Sequence, residues 1–284
     1  MKNNKGKVWF ITGAGRGMGL EIAKAALSAG HRVVATGRDI KKVSDAIGSN
    51  GNLLPLKLDV TIPGDAEVAV KTVVERFGSI DVLINNAAVF FAGFFEEFTP
   101  EQIQMQMDTN FVGPMNVTRA VLPQMRSQGS GHIVSISSTA GVFGYEQCSM
   151  YCASKFALEG WMDALKIEVA PFGITTTVVN PGFFRTTLLE PESTIWAGKP
   201  VEAYSERNAQ LKPVWKDMNG KQSGDPGKLA KALLTVVDRQ DPPVRWFAGT
   251  DAVAEGERKA NELLSQIAPF KELSSSLDVD EAKN

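Results

Sequence analysis

Thr12-Gly13-Ala14-Gly15-Arg16-Gly17-Met18-Gly19 decides the fold through what stands on either side of it. Before it, Lys7 to Thr12 is a short apolar run of β-branched and aromatic residues. After it, Leu20 to Ala29 has helical periodicity and stops at Gly30. The order is strand, glycine turn, helix. Such a turn brings backbone N–H groups to a helix N-terminus with no Cβ in the way, where the helix dipole favours an anion such as a pyrophosphate. T-G-x-x-x-G-x-G is met in full, whereas G-x-G-x-x-G fails because Met18 or Leu20 falls where its last glycine belongs. A tight turn without ligand is the plain alternative, and the position directly after the first strand favours the nucleotide.

Outward from the turn the same rhythm repeats. Arg32 to Thr36 reads as a second strand, Ile40 to Ile47 as a short helix and Leu53 to Leu58 as a third strand ending at Asp59-Val60. Pro63 to Phe77 is a helix with Pro at its start and Gly78 at its end, and Asp81 to Ile84 is a strand running into Asn85-Asn86-Ala87-Ala88. Gly131 to Ser137, Ile174 to Val179 and Val244 to Ala248 complete seven strands. Strands alternating with helices predict a single α/β domain over residues 1–284, a doubly wound, mostly parallel sheet covered on both faces. Ligands in such sheets bind outside the carboxyl ends of the strands.

Between these elements, Val89 to Phe95 reads as an aromatic loop, buried packing or pocket wall. Thr99-Pro100-Glu101-Gln102 is a capped helix start, and the helix should run toward Met125. Pro114 interrupts it and deprives the carbonyl of Asn110 of its helical partner, through a kink, an exposed carbonyl or both. The rhythm stops at 187–224, an insertion with one helix expected over Val201 to Met218 and the place for a substrate lid; a helix over Asp225 to Asp238 follows it. The polar tail 271–284 has little to bury and is expected to fray.

At the end of the second strand an acid would bond the adenosine ribose 2′-hydroxyl, and an arginine would accommodate a 2′-phosphate. Gly37 takes the acid position, Arg38 follows, and Arg16 in the glycine turn is a possible second cation, which points to NADP(H) over NAD(H). If the strand ends two residues later, Asp39 is the ribose acid and Arg38 a solvated charge.

Tyr151 and Lys155, in Tyr-Cys-Ala-Ser-Lys, lie one helical turn apart on one face. A neighbouring ammonium favours the phenolate and draws a tyrosine pKa toward the working range, which makes a general acid/base pair. Chance pairing is the plain alternative. Tyr145 and Tyr204 have Ser149 and Asn208 at the fourth position, so Tyr151 is the one tyrosine with a lysine there.

Composition narrows the chemistry. A net charge of -2 with interspersed signs leaves no basic stripe for nucleic acid or an anionic membrane, so the partner expected is a small molecule. With no signal-peptide core and no membrane-length apolar run, a cytoplasmic protein is expected. Cys148 and Cys152 are spaced for neither CxxC nor a disulfide framework and read as reduced thiols. His31 and His132 read as strand-edge residues, so no metal site and no Ser-His-Asp triad is expected.

These residues together resemble the short-chain dehydrogenase/reductase family, in its TGxxxGxG branch, from about Lys7 to about Asp251. The ordered motifs are TGAGRGMG, Leu58-Asp59-Val60, NNAA, Asn110, Ser138, YCASK and PGFFRT; Ala88 stands where the family usually has glycine. The resemblance implies that Tyr151 is the acid for carbonyl reduction and the base in reverse. Lys155 would lower its pKa and hold the nicotinamide ribose, Ser138 would bond the substrate oxygen, and Asn110 would hold a relay water. Gly13, Gly17 and Gly19 would cradle the pyrophosphate, Asp59 meet the adenine amine, Asn86 the neighbouring ribose region and Thr186 the nicotinamide carboxamide. Gly15, Arg16, Met18, Arg38, Val60, Ala87, Pro181 and Gly182 complete the cofactor-binding set. The function expected is an NADPH-dependent carbonyl reductase or secondary-alcohol dehydrogenase. Phe143, Phe183, Phe184, Trp196, Trp215 and Met218 are candidates for an apolar substrate pocket. The rivals are a sugar-nucleotide epimerase or dehydratase and a non-catalytic NADP(H) sensor. Self-association as a homodimer or homotetramer through the helices carrying Asn110 and Tyr151 is also implied.

Overall fold

The computed structural model describes residues 6–279. Its seven-stranded sheet is parallel throughout, in the order β3-β2-β1-β4-β6-β7-β9. The strands are β1 (Val8–Ile11), β2 (Arg32–Gly37), β3 (Leu53–Lys57), β4 (Val82–Asn85), β6 (Gly131–Ile136), β7 (Ile174–Pro181) and β9 (Arg245–Ala248). A second, two-stranded parallel sheet pairs β5 (Phe90–Ala92) with β8 (Thr194–Trp196).

The side-chain period of two makes both faces apolar. In β1, Val8 and Phe10 enter one core, and Trp9 and Ile11 the other. The first core is closed by α3 (Pro63–Phe77), α5 (Gly113–Gln128) and α6 (Ser149–Val169), through Val73, Val121 and Leu158 among others. The second is closed by α1 (Gly17–Ser28) and α8 (Pro226–Val237), through Ile22, Ala26 and Leu233. α2 (Ile40–Ile47) adds Val43 to that side. The chain runs outward from β1 to β2 and β3, then returns to β4 on the other side of β1. A crevice therefore opens beyond the carboxyl ends of β1 and β4.

Several elements differ from the sequence expectation. α1 begins at Gly17 rather than Leu20, so the last glycines of the turn already belong to the helix. The expected aromatic loop is β5, ordered because its backbone pairs with β8 of the insertion, Phe90 opposite Thr194. The helix expected from Thr99 to Met125 is α4 (Pro100–Met107), a π turn over Asp108–Val112, and α5. The wider turn, in which Gly113 N–H reaches the Asp108 carbonyl five residues back, puts Pro114 in the first turn of α5, where proline is tolerated. Thr99 caps α4 through its hydroxyl, with Gln102 closing the capping box as expected. In the insertion the helix is α7 (Ser205–Met218), four residues shorter than expected at its start.

After β9 the chain forms α9 (Thr250–Ile267) and α10 (Lys271–Ser275). Sequence reading missed α9, and α10 lies in the tail expected to fray; residues 280–284 of that tail lie outside the described residues. His132 is not at a strand edge: it is buried within β6, in the middle of the sheet, with Nε2 2.9 Å from Thr177 Oγ1. Among the described residues no helix is long and apolar enough to cross a membrane.

Candidate active site

The glycine turn owes its shape to close backbone approach. Gly13, at φ 65°, passes so near β4's exit that a Cβ there would lie 2.8 Å from Ala87 Cα. A Cβ on Gly19 would collide with Asn86 Nδ2 and the Gly13 carbonyl. Gly17, at φ 56°, differs: a Cβ there would make only ordinary contact, with Thr186 Cβ at 3.7 Å and Thr187 Oγ1 at 3.9 Å, so its left-handed backbone is what calls for glycine. No acidic residue occupies the first turn of α1. A cleft lined by Gly17, Arg185, Thr186 and Thr187 opens at this helix start, where the exposed N–H groups and the helix dipole suit an anion such as a pyrophosphate.

The neighbours of the turn are fastened from behind. Thr12 Oγ1 accepts from Asn86 N at 2.9 Å and Ala87 N at 3.1 Å. Asn86 Nδ2 donates to the carbonyls of Thr12 at 2.9 Å and Gly13 at 3.1 Å. The amide placed in the ribose region by sequence reading thus ties β4 to the turn. Gly15 packs against Val43 of α2. Asp59 turns one carboxylate oxygen to Thr61 N and Oγ1, at 3.0 and 2.7 Å, and Val60 is buried against Gly113.

β2 ends at Gly37, one residue beyond the expected end, and Arg38 is exposed with no hydrogen bond or ion pair among the described residues. Asp39 is the N-cap of α2, its carboxylate accepting from Lys41 N and Lys42 N at 3.0 and 3.1 Å. Arg16 reaches the other way: its Nη1 donates to Ser193 Oγ of the insertion at 2.7 Å, a partner that sequence spacing could not show.

Beyond β6, Ser138 caps a short turn by accepting from Ala140 N at 3.1 Å and lines the same cleft wall as Tyr151. Tyr151 and Lys155 are both buried on α6. Lys155 Nζ donates to the Ile136 carbonyl at 2.8 Å and stands 5.7 Å from the Tyr151 ring centroid. Burial lowers the Lys155 pKa to about 8, partly opposed by Glu159. Burial raises that of Tyr151, with the Ser138 hydroxyl opposing and Cys148 and Cys152 adding to the rise. This departs from the sequence expectation of a lowered phenol: desolvation outweighs an ammonium that is directed at a main-chain carbonyl.

Asn110, buried in the π turn, bonds through its side chain to Val89 N at 2.8 Å, Val89 O at 3.0 Å and Ser154 Oγ at 3.2 Å. It ties Val89, just before β5, to Ser154 of α6, whose hydroxyl donates to the Tyr151 carbonyl at 2.7 Å.

Glu159 went unnoticed in the sequence although Tyr151, Lys155 and Glu159 continue one four-residue period. It is buried and accepts from Asn180 Nδ2 at 2.6 Å and Arg245 Nε at 2.9 Å, joining α6 to β7 and β9. Asp251 also went unnoticed. It accepts from Phe183 N at 2.7 Å across Gly182, where a Cβ would collide with the carboxylate.

An apolar cleft joins Met18 of the glycine turn to Ser138, Tyr151, Pro181, Gly182 and Thr186. Of the expected pocket aromatics, Phe183, Phe184 and Trp215 line it. Phe143 lies instead beneath the Arg258 guanidinium at 3.9 Å, Trp196 packs under Lys212, and Met218, the last residue of α7, is not in the lining. Phe90, within the stretch read as buried packing or pocket wall, lines it through the β5–β8 pairing, and Tyr145, Cys148 and Leu188 line it without having been singled out.

Residues 7–195 match the short chain dehydrogenase family. Oxidoreductase BOA17 of Botryotinia fuckeliana is 36% identical over 94% of this chain and 98% of its own length. A 3-ketodihydrosphingosine reductase of Bacteroides thetaiotaomicron is 37% identical over 86% of this chain and 88% of its own. The crystal structure of a short-chain dehydrogenase from Streptomyces avermitilis superposes with a TM-score of 0.87 at 35% identity, covering 96% of this chain and all of that one. With the parallel sheet, the glycine turn and the Ser138–Tyr151–Lys155 grouping in place, the chain belongs to the short-chain dehydrogenase family of oxidoreductases, a family that implies a nicotinamide cofactor.

Proposed function

We propose that the protein is an NADPH-dependent carbonyl reductase, equivalently a secondary-alcohol dehydrogenase, acting on an apolar or aromatic ketone. The observation that carries the reading is the placing of Ser138 and Tyr151 together on the wall of a cleft that also takes in Met18 of the glycine turn. A bound nicotinamide would supply the hydride, or accept it in reverse. The carbonyl oxygen sits against Ser138 and Tyr151; Ser138 donates a hydrogen bond as negative charge develops, and Tyr151 gives up its proton to that oxygen. In the reverse direction Tyr151 takes the proton from the alcohol. Lys155, charged at neutral pH, adds a positive field that favours the phenolate left behind.

NADPH is favoured over NADH by the open guanidinium of Arg38 and by the engagement of Asp39 in capping α2. An apolar substrate is favoured because no Asp, Glu, Lys or Arg lines the cleft among the described residues. The same lining, with the likeness to a ketodihydrosphingosine reductase, supports a long-chain lipid ketone as the second reading. The test is to follow NADPH and NADH absorbance against aryl, steroidal, aliphatic and long-chain ketones. Oxidation of NADPH with an aryl ketone is expected; cofactor binding without any turnover would turn the reading toward a sensor.

A further inference from the structure

Three buried side chains and one half-buried indole form a one-way hydrogen-bond chain that fastens the insertion to the segment just before Tyr151. Trp215 Nε1 of α7 donates to Gln147 Oε1 at 3.1 Å. Gln147 Nε2 donates to Asn208 Oδ1 at 2.7 Å, and Asn208 Nδ2 donates to Glu97 Oε1 at 2.7 Å. Glu97 Oε2 accepts in turn from Phe94 N at 3.1 Å. An indole can only donate, and Glu97 accepts at both oxygens, so each intervening amide has one orientation that satisfies the whole chain. The chain also crosses sequence: Glu97 follows β5, Gln147 precedes α6, and Asn208 and Trp215 lie on α7.

Gln147 is the centre of this chain and its strained member. At φ 61° it is the one non-glycine residue with positive φ among the described residues, and it is 3% exposed. A glutamine held in the left-handed region needs surroundings that fix it there. Its carbonyl supplies part of that by accepting from Gly93 N at 2.8 Å. The residue does not line the cleft, but the indole it holds does. Trp215 lies tilted on Phe90, with centroids 5.7 Å apart, and Phe90 meets Tyr151 edge-on at 5.0 Å. An aromatic wall thus runs from the anchored indole to the phenol.

We propose that Gln147 is a positioning residue that sets substrate selectivity: by anchoring the Trp215 indole it fixes, with Phe90, a slot for the flat apolar substituent of the ketone. This rests on the ketone reading above, but the anchoring itself does not.

Gln147→Asn keeps an amide and tolerates the left-handed backbone, yet is one methylene too short to span Asn208 and Trp215. Indole N–H hydrogen exchange, followed by NMR without substrate, should speed up about tenfold or more for Trp215 in this variant. KM for an aryl ketone should rise about tenfold, the worth of one hydrogen bond, while kcat, NADPH affinity and KM for a small aliphatic ketone stay within about twofold. Gln147→Leu should act in the same direction, and Trp215→Phe combined with either should add little, because the pair acts as one unit. Unchanged indole exchange overturns the anchoring. Faster exchange with unaltered selectivity overturns the slot, as does a parallel loss of cofactor affinity. Faster exchange in a protein whose wild type reduces no ketone upholds the anchoring and discards the ketone reading alone.

Discussion

On the β1–β4 side of the cleft, Gly13 and Gly19 are held so close to Ala87 and Asn86 that a methyl group has no room. On the insertion side, Trp215 stands where it does because Gln147, Asn208 and Glu97 relay a side-chain hydrogen-bond chain to it. The first region is defined by absent side chains and by backbone conformation, and the second by which long side chains reach one another. A backbone-defined site tolerates few residue types at its tight positions, so it writes a short motif into the sequence. A side-chain-defined wall can be built in many ways and leaves no motif. Tyr151 lies between the two, flanked by Ser138 and by the aromatic wall through Phe90.

The largest expected effect falls at that junction. Tyr151→Phe removes the proposed proton donor and leaves the ring packed against Phe90, so turnover should fall by about two to four orders of magnitude while NADPH affinity measured by fluorescence titration hardly changes. Wild-type-like turnover would take Tyr151 out of the chemistry and separate the two sides entirely.

Acid tests whether the two sides belong to one cooperative unit, because His132 is buried in β6, which the two sides share. Burial lowers its pKa from 6.5 to about 4. Between those values the unfolded chain binds a proton that the folded one does not, so the neutral imidazole's contribution is complete above pH 6.5 and is lost as pH falls. The full loss is roughly 3 kcal/mol, about 2 of it by pH 5, and urea unfolding at pH 7 and pH 5 should show it. His132→Gln should flatten that slope; an equally steep slope in the variant would clear His132.

The smallest expected effect sharpens the contrast within the nucleotide side. Arg38→Ala should weaken NADPH binding by about 1.5 to 3 kcal/mol and leave NADH binding almost unchanged. Calorimetry with both cofactors checks it, and equal losses would refute the 2′-phosphate assignment.

Backbone requirements account for most of what could be read in advance. Pro63 and Gly78 bounded α3 correctly, and Thr99, Pro100 and Gln102 located the start of α4, because proline, a left-handed C-terminal residue and a capping box each act within a few residues. β5 was mistaken for a loop because its partner, β8, lies about a hundred residues away in an insertion without pattern. α9 was missed because its exposed face, with Leu263, Leu264 and Ile267, breaks the usual reading of apolar residues as core.

By itself, the sequence determined the parallel sheet, the glycine turn after β1 and the one-turn spacing of Tyr151 and Lys155, since each depends on local geometry and periodicity. The tertiary structure alone decided that Arg16 meets Ser193, that Glu159 joins Asn180 and Arg245, and that Gln147 holds Trp215. It also decided that burial, and not the nearby ammonium, governs the phenol of Tyr151. The physical reason is common to all four: desolvation and side-chain hydrogen bonds depend on atoms brought together from distant parts of the chain, and no short stretch carries that information.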